Sequence, residues 1–164
     1  MGWKKGLGLG LAVVVGIFIV LQILSIPVLM QQTNPPVVQE PAWDSPETRV
    51  LAQRACFDCH SNEVNWPLYS KIAPISWSVT NHVVEGRQAL NFSDWNNYGE
   101  DAGEIAEVIR SGEMPLSDYL MMHPEADLTP AEKEQLIAGM QATPPGSNSG
   151  GGEDREYDED DDDD

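Results

Sequence analysis

A five-residue motif, Cys56-Phe57-Asp58-Cys59-His60, constrains this chain more than any other feature. Two thiols three positions apart, followed directly by an imidazole, form the C-x-x-C-H pattern of covalent haem attachment. On a helical turn, residues i and i+3 share a face, so both sulfurs can reach the two vinyl groups on one porphyrin edge. The imidazole of His60 then lies beneath the iron as its proximal ligand. The motif therefore predicts one covalent haem c.

Two other uses of a C-x-x-C pair fit this chain poorly. A thioredoxin-type redox pair follows a strand in a βαβ pattern, and no alternating Val/Ile-rich strand precedes Cys56. A zinc site needs two more ligands at short spacing. The chain has no third cysteine, and its other histidines, His82 and His123, lie far apart.

The N-terminal region, residues 1–30, predicts a membrane anchor. Residues 7–30 are almost entirely apolar, and ~20 apolar residues at ~1.5 Å each cross a bilayer core of ~30 Å. Lys4 and Lys5 precede this stretch, and no basic residue follows it until Arg49, so the N-terminus is expected in the cytoplasm and the rest on the exported, periplasmic side. A cleaved signal peptide is the alternative, although no convincing small-x-small cleavage site is present.

Three further zones follow the anchor. Residues 31–43 are rich in proline and predict a semi-extended tether that lifts the next domain off the membrane. Residues 44–143 form the predicted haem domain, and residues 144–164 a Gly/Ser linker with a disordered acidic tail. The net charge is −18, and the tail holds ten acids against one base, Arg155. Both the body and the tail are acidic, which disfavours nucleic-acid binding.

The sequence of the predicted haem domain indicates helices only. Ser45 and Pro46 are typical of a helix N-cap and first position, and that helix leads into the haem motif, with Val50, Leu51 and Ala55 as its buried stripe. A second helix begins near residue 75, and a third covers residues 101–110. A last helix follows the capping sequence Thr129-Pro130-Ala131-Glu132 and runs to about residue 140. In the second helix, a stripe of residues at helical spacing places a histidine among aliphatic residues: Ile75, Val79, His82, Val83 and Gly86.

A six-coordinate haem iron needs a second axial ligand. The candidates are Met114, Met121, Met122, His82 and His123. We predict Met114, because the flanking Gly112 and Pro115 fix an irregular loop that can hold its thioether in place, and a thioether ligand raises the reduction potential. His82 is the alternative ligand. Two irregular aromatic segments, residues 65–69 and 73–77, are predicted to wall the porphyrin through Trp66, Tyr69 and Trp77.

The order of helix, C-x-x-C-H, loop, helices, Met-Pro loop and terminal helix resembles class I cytochrome c. The fuller pattern is similar to the bacterial haem-binding domain family, over about residues 43–140. The matching segments are residues 56–62, 66–70, 73–77, 82–87, 90–93 and 112–115. The resemblance implies a small, exported, single-haem domain of class I cytochrome c-like fold. In such cytochromes a proline carbonyl accepts a hydrogen bond from the ligand histidine, which implies Pro74 here, or else Pro67.

These features predict an electron carrier rather than an enzyme. A membrane-anchored monohaem cytochrome would exchange single electrons with redox protein partners or with a membrane complex, and the anchor would raise their effective concentration. The alternative is a haem enzyme or gas sensor, peroxidase-like, with an open or displaceable sixth position. That alternative requires a distal acid/base pair, for which His82 and Arg87 are the candidates.

Overall fold

The structure is a computed structural model that describes residues 2–99 and 102–146. Across these ranges the chain is helical, and its only β-type pairing is an isolated bridge between Gln39 and Asp94. The helices are α1 (Gly2–Leu24), α2 (Ile26–Leu29), α3 (Pro46–Ala55), α4 (Phe57–His60), α5 (Ile75–Ala89), α6 (Trp95–Tyr98), α7 (Ala102–Ser111), α8 (Ser117–Met122) and α9 (Pro130–Ala142), with 3-10 turns at Leu68–Lys71 and Pro124–Ala126. The predicted all-α class is confirmed, and the likeness to the class I cytochrome c fold stays a prediction.

Helix α1 contains most of the predicted apolar stretch, residues 7–30, and α2 contains most of the remainder. Its segment Gly6–Leu24 is long and apolar enough to cross a membrane, and no part of it is buried in the protein. A signal sequence near an N-terminus has the same length and composition. The structure therefore supports a candidate span and leaves the predicted orientation as an expectation.

The two strongest capping signals in the sequence produce the expected helix starts. The Ser45 hydroxyl accepts a hydrogen bond from the Thr48 backbone N–H at 3.2 Å, at the start of α3. At α9, Thr129 and Glu132 form a reciprocal capping box, in which each side chain accepts from the other residue's backbone N–H. Both pairs satisfy donors that a helix N-terminus leaves without partners. These helix starts are confirmed.

The buried stripe of α3 differs in one position from the prediction. Leu51 and Ala55 are buried, but Val50 is 57% exposed and Ala52 is fully buried instead. The buried positions are residues 48, 51, 52 and 55, which follow the i, i+3, i+4, i+7 spacing of one helix face. Val50 lies off that face, so its assignment to the core is wrong.

An aromatic cluster holds the core together beside the haem motif. Phe92 lies at the centre, with its ring centroid 5.4 Å from those of Trp43 and Phe57 and 5.8 Å from that of Trp95. Helix α9 packs closely on α3 at Gly139. A Cβ added to this glycine would lie only 2.0 Å from the Thr48 hydroxyl. These contacts place the motif at the edge of a packed core.

Residues 31–43 were expected to form a free tether, but in the structure they lie along the domain. The Gln32 side-chain amide donates to the Thr80 hydroxyl at 2.9 Å, and the Val38 backbone N–H donates to the Ser93 carbonyl at 2.8 Å. A proline-rich segment cannot satisfy its polar groups in a helix of its own. Here the haem domain satisfies them, and the segment does not separate the domain from α1.

Two expectations concern residues that the structure does not describe. The acidic tail lies in residues 147–164, outside the described ranges, and so does the predicted first residue of the third helix, Asp101.

Candidate haem site

The haem motif forms one helical turn, as its spacing predicts. Within α4, the backbone N–H groups of Cys59 and His60 both donate to the Cys56 carbonyl, at 3.1 and 2.9 Å. Both cysteines and His60 line one cavity of about 780 Å³. The turn therefore presents two thiols and an imidazole to the same space.

The ring of His60 is held through one nitrogen. Its Nδ1 lies 2.8 Å from the Gly86 carbonyl oxygen and 3.1 Å from that of Leu90. A carbonyl can only accept, so Nδ1 carries the proton and the lone pair of Nε2 stays available for a metal. Burial lowers the pKa of His60, which favours the neutral ring that ligates iron.

The acceptors of that bond correct a prediction. Neither Pro74 nor Pro67 accepts from His60, because the end of α5 supplies both carbonyls. Helix α5 reaches the ring because it lies directly against the motif at Gly86, where an added Cβ would be 2.7 Å from the Cys59 carbonyl oxygen. Only a glycine permits this approach of two backbones. Leu90, the residue that follows α5, brings the second carbonyl to the ring.

Burial keeps both thiols in their protonated form in this cavity. Burial in the cavity raises the pKa of Cys56 to about 12 and that of Cys59 to about 11. Redox and zinc-binding cysteines have depressed pKa values because they act as thiolates. Among the described residues, no group of three His, Cys, Asp or Glu side chains is arranged to hold a metal ion. The structure thus argues against the thioredoxin and zinc interpretations.

Helices α5 and α7 supply much of the apolar wall of the cavity. The predicted stripe of α5 faces it in full, since Ile75, Val79, His82, Val83 and Gly86 all line the cavity. Helix α7 contributes its apolar positions, Ile105, Val108 and Ile109. A mostly apolar cleft with a few placed polar groups is typical of cofactor sites.

Met114 lines the same cavity as His60. Its backbone N–H donates to the Val108 carbonyl at 3.0 Å, which folds the loop back onto α7. Gly112 makes the turn possible with a φ of +79°, a conformation that favours glycine. The loop is thus fixed as the sequence suggested.

The other candidate ligands are distributed unequally. His82, Met122 and His123 line the cavity, whereas Met121 is 80% exposed and does not.

The predicted aromatic wall is only partly assembled. Tyr69 lines the cavity, but Trp66, Pro74 and Trp77 do not. The Trp66 indole donates to the Asn34 side chain at 3.2 Å, on another part of the surface. Trp66, from residues 65–69, and Pro74 and Trp77, from residues 73–77, therefore lie outside the site.

A polar cluster on the cavity wall was not predicted from the sequence. The Tyr69 hydroxyl lies 2.6 Å from His123 Nε2, and His123 Nδ1 lies 3.1 Å from a Glu125 carboxylate oxygen. Nearby, the Tyr119 hydroxyl donates to Asp58 at 2.9 Å, and burial raises the pKa of Tyr119. Tyr119 and His123 also stack, at 4.4 Å between ring centroids. Tyr69 lies 54 residues from His123 and Asp58 lies 61 residues from Tyr119, so no local pattern could reveal these two pairs.

The structure does not bring His82 and Arg87, the predicted distal acid/base pair, together in the cavity. Arg87 does not line the cavity, and its guanidinium donates to the backbone carbonyls of Ser61 and Thr33 at 2.7 and 3.0 Å. His82 lines the cavity without it.

Comparison with known proteins gives one result. A family model described as "Haem-binding domain" matches residues 16–142. No curated protein matches the chain, and no solved structure matches it.

Proposed function

The chain belongs to the haem-binding domain family, and from this premise we propose that it is a membrane-anchored monohaem c-type cytochrome that carries single electrons on the exported side of the membrane. One observation carries the proposal: Cys56, Cys59, His60 and Met114 all face one apolar cavity. The family match supports haem. The covalent c-type attachment and the electron-carrying role are proposed from the residues.

The residues fit a haem. The cavity of about 780 Å³ lies within the range of roughly 300–1,000 Å³ that is usual for cofactor sites. Cys56 and Cys59 would hold the group through two thioethers, and His60 would ligate the iron through Nε2. When bound, the haem supplies a centre that cycles between ferric and ferrous states, one electron at a time.

The protein's own groups orient and shield that centre. The Gly86 and Leu90 carbonyls fix the His60 ring and keep its proton on Nδ1, which also increases the basicity of the ligating nitrogen. The apolar side chains of α5 and α7 exclude water from the cavity. Met114 would supply the second iron ligand, with His82 as the alternative, since both line the cavity.

Two observations support a retained anchor over a cleaved signal peptide. The family model begins at residue 16, inside the apolar helix. The Gln22 side-chain oxygen, near the end of α1, accepts a hydrogen bond from the Ala73 backbone N–H at 2.7 Å. A removable leader has no reason to be built into the domain. With Lys4 and Lys5 before the span, the haem domain would lie on the periplasmic side.

The proposed partners are redox proteins, single or within a membrane complex. The chain carries a net charge of −18, which favours a basic docking surface and makes association dependent on salt.

A second candidate function has one observation in its favour. The Tyr69, His123 and Glu125 cluster places a hydrogen-bonded imidazole in the cavity wall. In a haem enzyme or gas sensor such a group would act beside an open or displaceable sixth position.

An optical spectrum of the haem-loaded full chain separates these functions. With Met114 ligated, the ferric protein shows the weak charge-transfer band of a sulfur–iron bond, and the ferrous protein does not bind carbon monoxide. Met114→Ala should abolish the band and allow carbon monoxide to bind. Met121→Ala, at an exposed methionine outside the cavity, is the matched control and should leave the spectrum unchanged.

A wild-type spectrum without the band, together with ready carbon monoxide binding, would overturn the Met114 assignment and favour the enzyme or sensor. If the spectrum of Met114→Ala matches that of wild type and the spectrum of His82→Ala differs from it, His82 is the ligand instead.

A further inference from the structure

The residues around the start of α5 lie at the end of the apolar helix. Besides the bond from Ala73 to Gln22, the hydroxyls of Ser25 and Ser76 lie 3.4 Å apart, and both residues are completely buried. Helix α2, which continues α1, packs against α5. The haem domain is thus attached directly to the end of the candidate span.

Large apolar side chains are exposed around this attachment. We define the rim as Leu68, Ile72, Ile75 and Trp77, which are 81%, 39%, 50% and 36% exposed. Single exposed apolar residues are ordinary on protein surfaces, but a group of them marks an interaction surface. These four fall within ten consecutive residues, in the same segment whose backbone and side chains contact α1 and α2.

The composition of the rim suits the surface of a bilayer. Tryptophan is enriched at membrane interfaces, where its ring lies at the level of the headgroups. Lys71 lies within the rim sequence. Its ammonium donates to the Gln32 side chain and lies 5.3 Å from the centroid of the Trp66 ring, which places a cation beside the apolar side chains, as at the headgroup level of a bilayer. A protein partner would not need to adjoin the end of a span, whereas lipid always does.

We propose that the rim rests in the interface of the bilayer that α1 spans, so that the haem domain lies on the membrane surface. This inference rests on the proposed membrane anchor. It orients the cavity, because Ile75 belongs both to the rim and to the cavity lining. Gly86, which holds His60, is eleven residues further along α5, or about 16 Å at 1.5 Å per residue. The haem would then face redox partners that are themselves embedded in the membrane.

Photo-crosslinking to lipid tests the placement. Benzoylphenylalanine replaces Ile75 or Trp77 in the haem-loaded full chain, which is placed in nanodiscs of phosphatidylethanolamine and phosphatidylglycerol and irradiated. Lipid adducts are then identified by mass. Ile19, inside the span, is the positive control, and Val50 on α3 is the matched control because it is an apolar residue with 57% exposure. The haem spectrum of each variant verifies that it is folded.

We expect lipid adducts at Ile75 and Trp77 with yields comparable to that at Ile19, and only background at Val50. Adducts at Ile19 with background yields at both rim positions would overturn the rim placement and leave the anchor intact. Background yield at Ile19 itself would overturn the anchor, and the rim placement with it. If either rim variant fails to load haem, the same experiment at Leu68, which is more exposed and does not line the cavity, decides the question.

Discussion

At the scale of single residues, Gly86 has the most demanding position in the site. Its α-carbon faces the Cys59 carbonyl so closely that an added methyl would lie 2.7 Å from that oxygen. Because the backbone of the motif cannot yield without moving His60, Gly86→Ala should separate α5 from α4. Overpacking of this kind costs about 1–3 kcal/mol. We expect a lower melting temperature and a smaller fraction of chains with haem.

Gly10→Ala is the matched control for that variant. Gly10 also lies in a helix, but no atom is within 4 Å of the added carbon, so melting and haem content should not change. A Gly86→Ala protein that melts like wild type and retains the His60 ligand would show that the two helices can move apart freely.

The same residues show which parts of a site are readable from sequence. Cys56, Cys59 and His60 are adjacent, so their chemistry is visible in the motif itself. Met114 is distant, yet the glycine and proline around it signal a fixed loop. The role of Gly86 depends instead on the approach of α5 to α4, which no local pattern encodes. The Tyr69–His123 pair was missed for the same reason.

At the scale of elements, helix α9 depends on a charged cap. Glu132 accepts from the Thr129 backbone N–H and pairs with Arg54 of α3. These contacts, the first most strongly, lower the pKa of Glu132 to about 2, from an ordinary value of 4.5. The folded protein therefore keeps the charge where the unfolded chain takes up a proton. The cap's contribution to stability is complete above pH 4.5 and is lost as the pH falls toward 2.

Glu132→Gln tests this pH dependence. The difference in melting temperature between wild type and the variant should be largest near neutral pH and shrink between pH 4.5 and 2, because the glutamine cannot titrate. Glu134→Gln, at an exposed acid of the same helix, is the control and should follow wild type throughout. A difference that stays constant across this range would show that the carboxylate's charge contributes nothing to the cap.

Caps were predictable at this scale because they are local. Ser45 and Thr129 each bond a backbone N–H three residues away, so the sequence alone specifies the helix start. The fate of residues 31–43 was not predictable in this way. Their prolines exclude a regular helix, but the decision between a free tether and a packed segment rests on distant partners such as Thr80 and Ser93.

At the scale of the whole molecule, residues 31–43 and the end of α1 join the proposed anchor and the haem domain into one unit. Gln22 accepts a hydrogen bond from Ala73, and Gln32 donates to Ser70 and Thr80, so both glutamines contact residues on either side of the start of α5. A domain held in this way cannot search a volume around its anchor as a tethered one does. Its encounters with partners would depend on diffusion in the membrane plane and on the orientation of the cavity.

The cavity also makes the haem part of the core. Lost packing costs about 24 cal/mol per Å³, so leaving about 780 Å³ without its occupant removes packing energy on the order of a small domain's entire stability of about 5–15 kcal/mol. Water entry and local collapse recover part of that energy. The aromatic cluster around Phe92 lies beside the site, and Phe92 itself lines the cavity, so the cluster loses part of its packing when the haem is absent.

We therefore expect the haem-free Cys56→Ala/Cys59→Ala double variant to be largely unfolded between residues 44 and 143. The variant, prepared without haem in detergent, should lose most of the helical circular-dichroism signal of the haem domain and melt without a cooperative transition, while α1 stays helical. The conservative Cys56→Ser/Cys59→Ser variant, also without haem, should behave alike, which separates loss of the cofactor from loss of polar side chains. A haem-free variant with the helical content of the loaded protein and a sharp melting transition would show that α3, α5, α7 and α9 form a stable core around a preformed cavity.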